Sequence, residues 1–296
     1  MIVSGVGFVG LGRMGQPMVR RLAGAGHAVA AYDQSEQARE RVLGVAGVTV
    51  TQTVTQIADG TDVVILMLPD SDVMEHVLLD QGLLRRIAPS AVLVDMGSSD
   101  PARTRVLAGH AARDGVTLID APVSGGVNGA RNGTLTIMVG GPDAVLATVR
   151  PVLEVLGSKV LHAGGAVGAG HAVKALNNLM SAAHLLVSSE ALLAGRAFGL
   201  DPAVMLDIVN GSSGRSGSTE DKWPRFILPG RFDSGFGLRL MLKDMQVALQ
   251  LEHAAGIPAL VSQAAVDAWA SAAAALAADA DHTEIARWLE GRAPEP

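Results

Sequence analysis

The chain has 296 residues, of which 49% are hydrophobic and 18% are charged, and its formal net charge is −6. This length suits about two globular domains, and an acidic balance without a basic run argues against nucleic acid or an anionic membrane surface as the partner. The absence of cysteine excludes disulfides, thiolate catalysis and cysteine-ligated metal sites.

A small molecule is therefore the expected partner, and we expect no bound metal. The N-terminal segment MIVSGVGFVGLGRMG lacks the uninterrupted apolar core of a signal peptide. No uncharged apolar run approaches the roughly 20 residues of a membrane span. We expect a cytoplasmic enzyme.

Short apolar runs alternate with helical patterns through the first part of the chain. The strand-like runs are VGFVG, AVAAYD, DVVILMLP, AVLVDMG, VTLIDAPVS, LTIMVGG and KVLHAG. This alternation predicts an α/β fold, with a Rossmann-type, doubly wound and mainly parallel sheet over residues 1–164.

Alanine- and leucine-rich periodic segments then predict an all-α domain over residues 165–296, and a long helix joins it to the sheet domain. A segment rich in glycine, serine and charge, residues 210–226, is predicted to be a loop inside this domain. We expect its side chains near Arg215 and Trp223 to contact the far end of a substrate.

A glycine pattern follows the first strand-like run. The segment GFVGLGRMGQPM has the GxGxxG spacing at Gly10, Gly12 and Gly15, and an amphipathic helical pattern comes directly after it. Such a turn lets the backbone approach a pyrophosphate, and the helix N-terminus then faces the phosphates with its unpaired N–H groups. The pattern predicts a dinucleotide site.

The second strand-like run ends in an acid, Asp33, near the spacing at which dinucleotide-binding proteins place a ribose-binding carboxylate. A carboxylate accepts hydrogen bonds from a ribose 2′-hydroxyl and repels a 2′-phosphate. We therefore predict NAD as the cofactor, and NADP stays possible because Arg39 and Arg41 lie nearby.

In the segment GAGHAVKALNNLMS, a polar stripe combines His171, Lys174, Asn178 and Ser181 at steps of three, four and three. Residues with this spacing share one face of a helix. The stripe is either the solvated face of an amphipathic helix or part of a site. The single tyrosine, Tyr32, adjoins Asp33 at the adenosine end, which leaves histidine, lysine or a carboxylate as the acid. We expect His171 itself to pack or hydrogen-bond.

Four segments in order, GFVGLGRMGQPM, DAPVSGGVNGARNGTLTIMVGG, GAGHAVKALNN and LMLKDM, resemble the β-hydroxyacid dehydrogenase family. That family includes 3-hydroxyisobutyrate dehydrogenases, tartronate semialdehyde reductases and the more distant 6-phosphogluconate dehydrogenases. The resemblance extends from residue 5 to near residue 258, which is most of the chain.

The resemblance implies that Lys174 is the general acid and base, that Asn178 holds the substrate, and that Ser124, Gly125 and Gly126 bind its carboxylate. The cofactor contacts that the glycine pattern and the resemblance together predict are Gly10, Leu11, Gly12, Met14, Gly15, Asp33, Leu68, Pro69, Ser98 and Lys243. The resemblance also implies a homodimer or a homotetramer. The alternative for Lys243 is a surface lysine paired with its neighbour Asp244.

One position departs from the family, since many relatives carry a serine where this chain has Gly97. The usual small hydroxy acids are therefore not assured as substrates.

We predict an NAD(P)-dependent oxidoreductase of CH–OH groups that acts on a small 3-hydroxy acid or its semialdehyde. An imine reductase or reductive aminase on the same fold is one alternative, although imine reductases usually lack the lysine. A catalytically silent NAD-binding module is another.

Overall fold

The computed structural model describes residues 5–292, and its contacts form two compact units that divide between Lys174 and Ala175. The sequence-based domain boundary after residue 164 stays a prediction. No helix among the described residues is long and apolar enough to cross a membrane.

The first unit contains a nine-stranded sheet in the order β3-β2-β1-β4-β5-β6-β8-β7, with β9 paired to β8. The strands are β1 (Gly5–Val9), β2 (Ala28–Tyr32), β3 (Val48–Val50), β4 (Val63–Leu66), β5 (Val92–Asp95), β6 (Thr117–Asp120), β7 (Val123–Ser124), β8 (Thr136–Gly140) and β9 (Lys159–Gly164). Strands β1 to β6 are mutually parallel, whereas β8 runs antiparallel to β6 and β7. The prediction of a mainly parallel sheet is confirmed.

Helices cover both faces of this sheet. They are α1 (Gly15–Gly24), α2 (Glu36–Glu40), α3 (Ser71–Glu75), α4 (Pro101–Arg113), α5 (Gly126–Asn132) and α6 (Asp143–Leu156). In β4, Val63 and Ile65 pack into the core on one face, while Val64 and Leu66 pack into the core on the other. Because side chains alternate along a strand, this division shows that the sheet is buried on both sides, as in a doubly wound fold.

Two details of the sheet were not predicted. The edge strand β3 has only three residues, too few for a recognisable alternation. The predicted strand VTLIDAPVS forms two strands, β6 and β7, because Pro122 between them has no N–H for a ladder.

The second unit is helical, as predicted. Its helices are α7 (Ala169–Ala197), which begins in the first unit, α8 (Pro202–Asn210), α9 (Leu238–Ala254), α10 (Leu260–Ala275) and α11 (Ile285–Glu290). The fully buried Trp269 of α10 lies in its core.

The predicted loop over residues 210–226 is partly wrong. Residues Ser218–Ile227 form a π-helix, and Trp223 packs into the core of the second unit. The Gly- and Ser-rich composition belongs only to residues 211–217, where Arg215 is exposed. Trp223 and Ile227 lie one helical turn apart and bury one face, a spacing that the loop composition concealed.

A buried histidine in the second unit makes its stability dependent on pH. Burial lowers the pKa of His282 to about 4, although the charge of Asp281 opposes that shift. Between its ordinary pKa and this lowered pKa, the histidine is protonated in the unfolded chain but neutral in the folded one. Falling pH therefore stabilises the unfolded chain relative to the folded one. The free energy of unfolding should therefore drop by about 3 kcal/mol between pH 6.5 and pH 4.

Urea unfolding followed by circular dichroism across that pH window measures this loss. The variant His282→Gln should show a smaller loss over the same window, since glutamine does not titrate. An equal loss in the variant and the wild type would assign the pH dependence to other groups.

Candidate active site

The glycine-rich turn between β1 and α1 has the geometry of a dinucleotide cradle. Gly10 has a φ of +100°, which an L side chain rarely adopts, and its N–H donates to the Tyr32 carbonyl at 2.9 Å. A Cβ on Gly15 would overlap the carbonyl oxygen of Gly10, whereas a Cβ on Gly12 would meet nothing within 4 Å. The outer glycines thus close the turn, and the middle one leaves open space where a ligand can approach.

Asp33 lies beside this turn, at the end of β2. One carboxylate oxygen accepts the N–H of Leu11 at 2.7 Å, and the other accepts the N–H of Ser35 at 2.8 Å. A carboxylate oxygen has two lone-pair sites, so both oxygens can still accept a ribose hydroxyl. The Arg39 guanidinium also lies here, because its Nη1 donates to the Asp33 carbonyl at 2.6 Å. The turn and this acid fit a dinucleotide.

The other predicted cofactor contacts of the first unit follow the parallel strands β4 and β5. Leu68 and Ser98 are half-buried, and Pro69 is exposed. At Gly97, a Cβ would lie 2.5 Å from the Leu68 carbonyl oxygen and 3.2 Å from an Asp95 oxygen. The departure from the family serine is therefore steric as well as chemical, since any side chain at this position would displace the Leu68 backbone.

The predicted carboxylate-binding segment forms the junction between β7 and α5. Ser124 ends the strand, Gly125 precedes the helix with a φ of +126°, and Gly126 is the first helical residue. The first N–H groups of a helix have no partner within the helix, so this junction can donate hydrogen bonds to a carboxylate.

The polar stripe on α7 is not a solvated face. Lys174 is only 7% exposed and Asn178 only 5%, while His171 is fully buried. The apolar neighbours Val173 and Leu176 are instead the exposed ones. This burial excludes the solvated face of an amphipathic helix, and the role of the stripe in a site stays a prediction.

In the second unit, Asp244 contacts two of the predicted residues, and its contact with Asn178 was not predicted. Asp244 is 3% exposed, and it accepts the Asn178 Nδ2 hydrogen bond at 2.7 Å. Its other oxygen forms an ion pair with Lys243 Nζ at 3.2 Å. Because an acceptor faces the Asn178 amino group, the side-chain orientation of Asn178 is fixed, with its carbonyl oxygen turned away from Asp244. The pair of Lys243 with Asp244 is present, but Lys243 is half-buried and not a surface lysine, and its role towards the cofactor stays a prediction.

A second unpredicted cluster is buried in the first unit, where Asp95 ends β5 and Asp120 ends β6. His171 Nδ1 lies 3.0 Å from Thr104 Oγ1, and its Nε2 lies 3.7 Å from an Asp95 oxygen. Burial raises the pKa of Asp120, and the charge of His171 and the hydrogen bonds from the Gly168 and His171 N–H groups oppose that increase. The expectation that His171 packs and hydrogen-bonds is confirmed.

The two units divide the predicted site residues between them. The glycine turn, Asp33, the segments at residues 68–69, 98 and 124–126, and Lys174 belong to the first unit, whereas Asn178 and Lys243 belong to the second. Within residues 5–292, no group of three or more histidine, aspartate or glutamate side chains could hold a metal ion.

Two family models together match most of the chain. Residues 5–165 match the NAD binding domain of 6-phosphogluconate dehydrogenase. Residues 168–289 match the model described as NAD-binding of NADP-dependent 3-hydroxyisobutyrate dehydrogenase.

Individual relatives agree with these models. The chain is 40% identical over 257 residues to a 3-hydroxyisobutyrate dehydrogenase of Pseudomonas aeruginosa, covering 83% of this chain and 85% of the relative. It is 39% identical over 254 residues to 2-(hydroxymethyl)glutarate dehydrogenase of Eubacterium barkeri, covering 86% and 84%. The solved Mycobacterium tuberculosis 3-hydroxyisobutyrate dehydrogenase with L-serine superposes with a TM-score of 0.90 at 33% identity, covering 97% of this chain and 99% of that one.

Solved imine reductases are more distant. Their TM-scores range from 0.62 to 0.67 and their identities from 19% to 24%, so they share the fold alone. The comparisons therefore favour carbonyl and alcohol chemistry over imine chemistry.

Proposed function

Because the chain belongs to the β-hydroxyacid dehydrogenase family, and is thus an NAD(P)-dependent oxidoreductase of CH–OH groups, we propose that it interconverts a small 3-hydroxy acid and its semialdehyde. One observation carries the proposal: Lys174 and Asn178, one helical turn apart on α7, are both buried although both are polar. A buried amine beside a buried amide suits proton transfer to an oriented substrate.

In this proposal, the glycine turn and Asp33 hold the dinucleotide. The Gly12 side of the turn admits the pyrophosphate, and the Asp33 carboxylate accepts hydrogen bonds from a ribose. When bound, the nicotinamide supplies the hydride acceptor for oxidation and the hydride donor for reduction. Leu11, Met14, Leu68, Pro69, Ser98 and Lys243 are the further proposed contacts.

Lys174 moves the proton. In oxidation, its neutral amine takes the proton of the substrate hydroxyl while the carbon that bears this hydroxyl gives up a hydride. In reduction, its ammonium returns the proton to the carbonyl oxygen, which neutralises the negative charge that develops there.

The remaining predicted residues orient the substrate. Asn178 presents an amide whose direction Asp244 fixes. Ser124, Gly125 and Gly126 donate hydrogen bonds to the substrate carboxylate from the junction before α5. Because the junction before α5 binds the substrate carboxylate and Lys174 binds the substrate hydroxyl, only substrates with a matching distance between these two groups should react.

A substrate screen tests this proposal, with the reduced nicotinamide measured by its absorbance. We expect oxidation of 3-hydroxyisobutyrate and 3-hydroxypropionate with NAD, and a lower kcat/KM with NADP because Asp33 repels a 2′-phosphate. Lactate is the matched control, since it is an isomer of 3-hydroxypropionate in which the hydroxyl is one carbon closer to the carboxylate. We expect little activity with lactate.

Other results of the screen would contradict the proposal. Equal turnover of lactate and 3-hydroxypropionate would show that the spacing between carboxylate and hydroxyl does not select the substrate. Reduction of cyclic imines with NADPH, without activity on any hydroxy acid, would favour an imine reductase. The homodimer or homotetramer and the cytoplasmic location stay predictions.

A further inference from the structure

The first turn of α7 is bound to the sheet of the first unit by a buried carboxylate. Asp120 is fully buried at the end of β6. One of its oxygens accepts the N–H of Gly168 at 2.6 Å, and the other accepts the N–H of His171 at 2.8 Å. A single side chain therefore satisfies two backbone N–H groups at the helix start, which would otherwise lack partners.

The backbone of the same turn packs directly on the backbone of β8. A Cβ on Gly170 would overlap the carbonyl oxygen of Met138, and a Cβ on Gly140 would lie 2.7 Å from the Gly170 nitrogen. Real side chains do not tolerate such distances. The helix start can therefore neither rotate nor slide along β8 without breaking this contact.

Helix α4 holds the turn from another direction, through His171. The Thr104 hydroxyl donates its only proton to the Asp100 carbonyl at 2.8 Å. Its oxygen is then the acceptor for His171 Nδ1, which lies at 3.0 Å. A buried hydrogen bond of this kind fixes the rotamer of His171 and with it the rotation of the turn.

Lys174 follows His171 by three residues on the same helical face. It is also the last residue of the first unit. The backbone of Lys174 therefore belongs to the same unit as the glycine turn and the contacts that hold the start of α7.

We propose that Asp120, together with Thr104 acting through His171, positions Lys174 for proton transfer. This inference rests on the proposed function, in which Lys174 is the acid and base. Asp120 is a positioning residue, because its side chain is fully buried and both of its oxygens bind the backbone at the start of α7. Retaining a buried carboxylate is costly, and the two N–H groups that it binds account for its presence here.

A double-mutant cycle on kcat tests the proposal with the full-length protein. Asp120→Asn keeps the shape of the side chain but turns one acceptor into a donor, so one of the two N–H groups loses its partner. We expect kcat to fall by about 10-fold to 10²-fold, as a displacement of about 1 Å at a reacting group can cause, while the Kd for NAD stays unchanged.

The decisive comparison uses the Lys174→Ala background. If Asp120 acts through Lys174, adding Asp120→Asn to Lys174→Ala should lower the residual kcat no further, because the group it positions is already absent. A loss by the same factor in both backgrounds would show a general structural role and overturn the proposal. An unchanged kcat in Asp120→Asn alone would overturn it as well.

A second pair of variants covers the case in which Asp120→Asn does not fold. Thr104→Val removes the hydroxyl at constant shape, and Thr104→Ser retains it. The Thr104→Val variant should have a lower kcat than the wild type, and the Thr104→Ser variant should have the wild-type kcat. The effect of Thr104→Val should vanish in the Lys174→Ala background. Equal kcat values for the valine and serine variants would contradict the role of Thr104.

Glycine variants supply the steric control. Gly170→Ala should lower kcat because of its overlap with Met138, whereas Gly109→Ala on the exposed face of α4 should leave kcat unchanged, since a Cβ there meets nothing within 4 Å. A wild-type kcat in Lys174→Ala would instead contradict the proposed function itself, whatever the result with Asp120→Asn. The two failures are therefore distinguishable.

Discussion

Replacing Lys174 by alanine is expected to lower kcat for 3-hydroxy acid oxidation by about 10²-fold to 10⁴-fold, the usual contribution of a positioned acid or base. The Kd for NAD, measured by quenching of tryptophan fluorescence, should stay at the wild-type value, because the glycine turn and Asp33 do not depend on the lysine side chain. The loss should appear in kcat and in kcat/KM alike, as expected for an interaction that forms only in the transition state.

Two further variants make this result specific. Lys174→Arg keeps the positive charge but cannot give up its proton at accessible pH, so its kcat should be as low as that of the alanine variant. Lys159→Ala removes an exposed lysine of β9 and should leave kcat unchanged. A wild-type kcat in Lys174→Arg would show that only the charge matters, which would contradict proton transfer by Lys174.

Substitutions in the glycine turn should also have a large effect, and they distinguish a loss of NAD affinity from a loss of stability. Gly12→Ala should raise the Kd for NAD by about tenfold or more, equivalent to about 1.4 kcal/mol, because its methyl group occupies space that the pyrophosphate approaches. The Tm of the same variant without cofactor should not change, since the added Cβ meets no protein atom within 4 Å.

Gly15→Ala is the matched variant in the same turn. Its Cβ would overlap the Gly10 carbonyl oxygen, so we expect a lower Tm in addition to weaker NAD binding. Calorimetry of the protein without cofactor and titration with NAD measure the two quantities separately. Wild-type affinity for NAD in Gly12→Ala would contradict the placement of the phosphates at this turn.

The sequence was sufficient for the features that depend on local pattern. The alternation of apolar runs and helical segments predicted the doubly wound sheet, and the GxGxxG spacing predicted the turn at residues 10–15. The step of four between Lys174 and Asn178 placed them on one helical face, and their burial shows that this face is not solvated.

Carboxylates that act across long stretches of chain could not be predicted. Asp120 binds the N–H of a residue 51 positions later, and Asp244 binds an amide 66 positions earlier. No periodicity links such pairs, because the sheet and the helical core bring them together only after folding. Similarly, the sequence showed that a serine is absent at Gly97, but only the structure shows the Leu68 carbonyl where its Cβ would lie.

Transfer of a deuterium label tests the central claim most directly. The substrate is 3-hydroxyisobutyrate in which both hydrogens on the carbon that bears the hydroxyl are deuterium, and the mass and amount of the reduced cofactor are measured in the initial phase of the reaction with the protein and NAD. The account predicts NADH that carries one deuterium with the wild type and a greatly reduced amount of it with Lys174→Ala. NADH without the label, or equal labelled NADH from both proteins, would contradict it.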